Sequence, residues 1–595
     1  MLAVDFETLY TKEYSLTIMS TWSYVYDERF DAYKVSAWND DVQWVGHPKD
    51  FDWNLIKGQT LLAHNVSFDG LVLRRLRELG IVPADCVEAG WLCTADMAAY
   101  LRTARSLQMA VKNLLGRERD KSTRAKMLDK TAAEIVDAGD MAEVDKYALL
   151  DARDCWDLFQ ECGKDWPENE RVYSNMLREA CWRGMPVNAE KAKKAAAELK
   201  LKLFEIERSI PWTEDGRKPL SPKALREQAR IEGIPVPASL SKVDPAAIQW
   251  FEDYGEKYPW VLAVRDYRSL NSHLAKVAAV ADGVRPDGTF PLQIKYGGAH
   301  TMRTSAGSAD TTGGKFNPLN MPRKALFGVD LRELFEAPPG YTFIICDYAQ
   351  IEALILLWRV GDTAFLERVR SEGNVYQAYA KQVGWYSGNN LKADNPGLYQ
   401  QAKVSVLQLG YQSGAAKLML VAQNVYGMDM NAAQAEALVT AYRAANPRIV
   451  QHWYKHQIAA AFSAHHNDPT HEVVLASGRV LTYYKPHIAK NIFGWAEVRA
   501  WPIRGLQPSK LYGGLLCENE IQATARDVLR DGRIAAEHAG HKIVLDVYDE
   551  LVELCPESEA SDRAKDLRRL MITSSPWLGD CPLDAEYKIS PVYLK

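Results

Sequence analysis

Apolar and polar positions change rhythm several times along the chain. In Leu2-Ala3-Val4-Asp5-Phe6-Glu7 the pattern predicts a strand with Asp5 and Glu7 on one face and Phe6 turned to the core. Residues 1–165 continue as alternating strands and helices, which predicts an α/β unit. From about 180 to 280 the chain is rich in Ala, Leu, Lys and Glu, punctuated by Pro219 to Pro245, and reads as helices with loops. The stretch from Gly283 to Arg323 has little periodicity and much Gly, Thr, Asn and Pro. A long helical region follows Asp347 and runs to about 460, and short strands return at 473–484 and 543–554. There is no internal repeat.

Composition adds bounds. A chain of 595 residues corresponds to roughly three to five domains. No apolar run approaches the roughly 20 residues of a membrane span, and Met1 leads directly into the first strand without a signal peptide. These features predict a cytoplasmic protein with no membrane partner. The nine cysteines include no CxxC pair, which argues against zinc fingers or a disulfide framework and for reduced, mostly buried thiols. A net charge of −5 argues weakly against a nucleic-acid partner, but it averages over faces. Two runs are locally basic: Arg117, Arg119, Lys121, Arg124, Lys126 and Lys130, and then Lys191, Lys193, Lys194, Lys200 and Lys202. Each reads equally as a solvated helix face or a binding surface.

Two carboxylate sets carry the candidate chemistry. The first begins with Asp5 and Glu7, which repel unless a cation or a proton intervenes. A helix starting near Asn65 would bring Asn65, Phe68 and Asp69 to one face, and Tyr147 and Asp151 are i and i+4 on another. Four carboxylates and one tyrosine can bind two metals and orient an attacking water. In the second set, Phe343-Ile344-Ile345-Cys346-Asp347 is an apolar strand ending in Asp. Two apolar runs flank Tyr548-Asp549-Glu550 and predict a β-hairpin with Asp549 at its turn. Asp347 and Asp549 could together hold two Mg²⁺ ions around a triphosphate. Between them Tyr399, Lys403, Leu407 and Tyr411 recur at steps of four and predict one helical stripe.

The ordered first set resembles the DEDD-type 3′→5′ exonuclease domain in its tyrosine-containing subclass. That resemblance implies Asp5, Glu7, Asp69 and Asp151 as metal ligands, Tyr147 as the water-positioning group and Asn65 as a contact to DNA. The second set resembles family A DNA polymerases, the group of bacterial DNA polymerase I. Asp347-Tyr348-Ala349-Gln350-Ile351-Glu352 matches motif A, the spacing from Lys403 to Tyr411 matches motif B, and Tyr548-Asp549-Glu550 matches motif C. Thr301-Met302-Arg303-Thr304-Ser305 is similar to the primer-contacting TGR segment, and Asn317-Pro318-Leu319-Asn320-Met321-Pro322 to the NLQNIP segment. Ser477-Gly478-Arg479, Tyr512-Gly513-Gly514 and the segment from Glu518 to Asp527 resemble phage members. Three positions depart from the family pattern: Tyr399 stands where motif B has Arg, Tyr548 where motif C has His, and Gln412 where a Gly follows the motif B tyrosine.

The resemblance implies an α/β and α+β multidomain protein, an RNase H-like exonuclease domain followed by a right-hand polymerase without a 5′-nuclease domain. The implied boundaries are 1–165 exonuclease, 166–285 connector and thumb, 286–362 palm, 363–499 fingers and 500–595 the rest of the palm. The implied activity is DNA-dependent DNA synthesis for phage-type replication with proofreading, and the motif B departures permit a preference for a modified nucleotide. Asp347 and Asp549 would bind two Mg²⁺, with Mn²⁺ able to substitute. Lys403 would hold the triphosphate and protonate the leaving pyrophosphate, with Tyr399 beside it. Tyr411 would stack at the nascent pair, and Glu352 would block a ribose 2′-OH. Arg303, Gln522 and Glu550 would contact DNA. Implied partners are primer–template DNA, dNTPs, a single-stranded 3′ end in the exonuclease site and other replication proteins. Two rival readings are a nuclease whose C-terminal half only clamps DNA, and a non-catalytic replication scaffold.

Overall fold

The computed structural model describes residues 1–120, 122–241, 244–306, 316–503 and 507–594. Lys121 of the first basic run lies outside them. The N-terminal part is built on a five-stranded sheet in the order Gln43–Gly46, Ala32–Trp38, Leu2–Thr8, Thr60–Ala63, Gly90–Cys93. The central strand pairs antiparallel with Ala32–Trp38 and parallel with Thr60–Ala63. Helices Val66–Glu78 and Met141–Cys162 complete this unit. Val4 and Phe6 enter one core, Ala3 and Leu62 a second on the other side of the sheet. Alternation along the strand thus feeds two cores, and Asp5 and Glu7 remain partly exposed between them.

A second sheet lies in the C-terminal part. Tyr341–Tyr348 sits between Glu550–Pro556 and Ala585–Ser590, and Ile543–Val547 forms the edge. Strand Tyr341–Tyr348 is a nearly continuous apolar run because both its faces are covered. Phe343 and Ile345 join a core shared with helices Ala189–Glu207 and Pro259–Asp282. Ile344 and Cys346 join a larger core with helices Ile351–Arg359, Pro396–Leu409 and Gly513–His538. A third sheet, Thr470–Val474, Val480–Lys490, Ala496–Trp501 and Ser509–Leu511, packs on helix Pro447–His465. All nine cysteines are free, seven of them buried. Among the described residues no helix is long and apolar enough to cross a membrane.

The two halves are joined by buried ion pairs. Glu170, on helix Glu168–Arg183, accepts from Arg526 Nη2 at 2.8 Å and from Arg530 Nη1 at 2.7 Å. Arg526 and Glu170 are both 1% exposed, so losing either partner would leave an uncompensated buried charge.

Candidate active sites

The first site forms where the central strand meets two helices. Asp5, Glu7 and Asp151 each offer a ligand oxygen, and these oxygens lie within 4.8 Å of one another. Asp69, in the first turn of its helix, is buried, and its Oδ1 has no hydrogen-bond partner. Burial, reinforced by Asp151, Glu7 and Asp69, raises Asp5 well above the carboxylate range. Burial and Asp151 push Glu7 up to about 8. Asp69 and Asp151 are raised chiefly by burial as well. Four carboxylates crowded at the cost of their ionised forms, one with an orphaned oxygen, fit a donor set for hard divalent cations. Asn65 does not begin the helix as a helical residue. It stands just before it, in the left-handed region at φ 90°, and lines the same cleft.

Among the described residues of the first basic run, Arg117, Arg119, Arg124, Lys126 and Lys130 each have a partner in the N-terminal part, although Arg124 is also exposed. Arg119 pairs with Asp151 and, at 3.2 Å, with Asp154. Arg124 Nε donates to the Tyr147 hydroxyl at 3.0 Å, and Lys126 pairs with Asp140 at 3.1 Å. The run folds back along Met141–Cys162 and partly neutralises the site. The cleft above it encloses about 600 Å³, lined by Asp5, Asn65, Arg119, Arg124, Tyr147 and Asp151 on one side. Trp182, Arg285 and residues 291–296 line the other. In the second run Lys191 contacts Glu333 and Lys202 Nζ donates to the Phe327 carbonyl at 2.7 Å, while Lys193, Lys194 and Lys200 are exposed.

The second site lies at the end of the C-terminal sheet. The expected hairpin is present, and Asp549 occupies its turn between Ile543–Val547 and Glu550–Pro556. Asp347 is registered opposite Glu550, and the Tyr348 amide donates to the Asp549 carbonyl at 3.0 Å. Asp347 and Asp549 therefore emerge side by side from adjacent strands. Tyr548 takes φ 58° and its hydroxyl donates to Asn320 Oδ1 at 2.7 Å. Glu550 is 1% exposed and accepts from the Tyr593 hydroxyl at 2.6 Å. Arg303 pairs with Glu352 and lies 5.7 Å from the Tyr548 ring. Thr301 Oγ1 donates to Gln522 Oε1 at 2.7 Å, bringing the TGR-like segment onto the long helix.

Lys403 lies on a helix with Pro396 in its first turn and the Asn395 side chain accepting from the Leu398 amide at 3.0 Å. Half-burial lowers its pKa, and Arg323 and Lys392 lower it further. Three cations thus converge on one region. Arg323 was not anticipated; its signal is its place directly after the Asn317–Pro322 segment. The expected stripe ends short of Tyr411. The helix stops at Leu409, and Tyr411 lies beyond it, where burial and Glu352 raise its hydroxyl. Gln412 adopts φ 65°, the left-handed conformation that favours glycine, and its Oε1 accepts from the Gly514 amide at 2.8 Å. A Cβ on Gly514 would collide with the Tyr411 carbonyl. Tyr399 packs edge-on against Tyr376 at 5.6 Å, its hydroxyl 3.5 Å from Asn374.

No protein-family model matches the chain. The DNA polymerase of Bacillus phage SP02 is 30% identical over 284 residues, covering 44% of this chain and 43% of that protein. The thermostable DNA polymerase I of Thermus filiformis is 24% identical over 345 residues, covering 57% of this chain and 36% of that protein. The chain thus spans less than half the length of these two relatives. DNA polymerase I of Aquifex aeolicus is 23% identical over 587 residues, covering 91% of this chain and 89% of its own length. Among solved structures, the polymerase domain of Pol1 from M. smegmatis, in complex with DNA primer–template and dNTP, superposes with a TM-score of 0.68 at 16% identity. It covers 99% of this chain and 95% of that one, which bears out the expected multidomain α/β fold. In sequence and in fold the chain is thus similar to bacterial DNA polymerase I and to phage DNA polymerases.

Proposed function

We propose that this protein is a template-directed DNA polymerase that also removes nucleotides from a primer 3′ end, with the two reactions in separate sites. The observation that carries the reading is the backbone pairing that sets Asp347, near the end of its strand, beside Asp549 in the adjoining turn. Asp347 and Asp549 would hold two Mg²⁺, or Mn²⁺, which would supply charge stabilisation to the triphosphate and the primer 3′-oxygen. Lys403 binds the triphosphate and, with its pKa lowered by burial and two cations, is suited to giving a proton to the departing pyrophosphate. Tyr411 borders the nascent pair. Glu352, held by Arg303, stands against the sugar 2′ position. Gln522 and the segment around Arg303 follow the primer–template, and Glu550, buried behind Asp549, positions the turn.

In the second reaction Asp5, Glu7, Asp69 and Asp151 would hold divalent cations, and Tyr147 would orient the water. Arg124, bonded to the Tyr147 hydroxyl, fixes that orientation. The cleft of about 600 Å³ admits a single-stranded end. Synthesis from dNTPs on a primer–template is carried over from the M. smegmatis relative's complex. A clamp or scaffold without chemistry would have no use for two clustered carboxylate sets. A preference for a modified nucleotide is compatible with Tyr399 in place of the motif B arginine.

The test is a 5′-labelled primer–template with Mg²⁺, incubated with and without dNTPs. Extension with dNTPs and shortening without them is the expected pair. Shortening alone supports a nuclease with a clamp, and neither reaction supports a scaffold.

A further inference from the structure

Helix Pro447–His465 carries His452 and His456 four residues apart, and so on one face. Opposite them, on Gly513–His538, is Glu520, which is 1% exposed. His452 Nε2 lies 2.7 Å from Glu520 Oε2, and His456 Nε2 lies 2.9 Å from the same oxygen. The two Nε2 atoms are 3.1 Å apart. The other oxygen, Oε1, accepts from Arg359 Nε at 2.6 Å, which fixes the carboxylate plane and turns Oε2 toward both rings.

Hydrogen bonding alone accounts poorly for this triangle. Each imidazole would need a proton on Nε2 to donate to Oε2, and the two N–H groups would then confront each other across 3.1 Å. A cation in place of both protons removes the conflict, because each neutral ring then presents a lone pair. Tetrahedral zinc with bonds of about 2.0–2.1 Å sets its ligand atoms roughly 3.3 Å apart. The observed edges of 2.7, 2.9 and 3.1 Å need to open by only a few tenths of an ångström. Two imidazoles and a carboxylate suit zinc, whereas magnesium takes oxygen donors.

We propose that His452, His456 and Glu520 form a zinc site that cross-links helix Pro447–His465 to helix Gly513–His538. Water takes the fourth position, reached through the rings, whose side chains are 16% and 12% exposed. The site acts as a cross-link. It lies outside both carboxylate sets and fastens the helix that carries Gln522 to the one leading into the third sheet.

The test uses the full-length protein. Wild type, His452→Gln, His456→Gln and Asp5→Ala/Glu7→Ala are stripped with a chelator, incubated with zinc chloride and desalted. Metal content is then read by mass spectrometry and Tm by calorimetry. Wild type and the Asp5/Glu7 variant should each retain one zinc that both histidine variants lose. Zinc should raise the Tm of stripped wild type by several degrees and leave the histidine variants unmoved. If those variants fail to fold, zinc-edge absorption on wild type decides, with two imidazole ligands expected. Failure of stripped wild type to retain zinc, retention by both histidine variants, or a spectrum without imidazole overturns the proposal.

Discussion

The cations around Lys403 give the sharpest quantitative expectation. Tyr399 carries no positive charge, so the outer phosphates of a bound triphosphate must find their counter-charge elsewhere. Arg323 and Lys392 both lie close enough to depress Lys403. One charge-assisted hydrogen bond contributes about 1.5–3 kcal/mol, which is roughly 10- to 150-fold in affinity. Arg323 is exposed in the free protein, so its loss should fall at the lower end of that range. Arg323→Ala and Lys392→Ala should therefore each weaken apparent dNTP affinity about tenfold. The double variant should lose more than the product, because in each single variant the remaining cation partly covers for the missing one. Arg443→Ala, on the last turn of helix Ala432–Ala445, should stay within about twofold. Single-turnover incorporation against dNTP concentration measures all four. If Arg323→Ala and Lys392→Ala both bind dNTP like wild type while Arg443→Ala does not, the counter-charge has been assigned to the wrong side of the site.

Three further outcomes are expected. Gln412→Ala keeps the left-handed backbone and loses the bond to the Gly514 amide, so it should destabilise by about 1–2 kcal/mol. Gln412→Gly relieves the backbone and should cost less, and urea unfolding giving the reverse order would contradict the account. Burial opposes charge on His541, but Glu553 at 2.7 Å and Asp566 at 3.2 Å outweigh it and raise the ring above its ordinary 6.5. The stability it adds is full below that ordinary value and is lost as pH rises through the raised one. His541→Gln should flatten this part of the stability profile above the ordinary histidine value, and an unchanged slope would show that His541 does not supply it. Glu352→Ala should admit ribonucleotides, read as the rNTP/dNTP ratio of incorporation efficiencies. An unchanged ratio would remove Glu352 from the sugar.

Much of this was legible in the chain because local pattern and topology agree. The run from Phe343 to Asp347 has no polar break, and the two runs around Tyr548-Asp549-Glu550 have turn chemistry between them, so both carboxylates could be set at strand ends. Asp5 and Glu7 followed from period-two alternation alone. Other features depend on where helices stop and on what packs across sequence. Spacing by four carries no information about a helix ending at Leu409, which is why Tyr411 was set on the Lys403 stripe. The run from Arg117 to Lys130 reads equally as a solvated face or a binding surface until its partners on Met141–Cys162 are seen. His452 and His456 share a helical face in the sequence, but Glu520 lies more than sixty residues on, and only packing brings it there.

The central claim is that synthesis and 3′-end removal use two independent carboxylate sites. One labelled primer–template and three proteins test it most directly: wild type, Asp5→Ala/Glu7→Ala, and Asp347→Ala, each with Mg²⁺, with and without dNTPs. The account predicts that Asp5→Ala/Glu7→Ala extends the primer at near wild-type rate and no longer shortens it. Asp347→Ala should shorten it normally and extend it several orders of magnitude more slowly. Shortening that survives in the first variant, or near-normal extension by the second, would contradict the account.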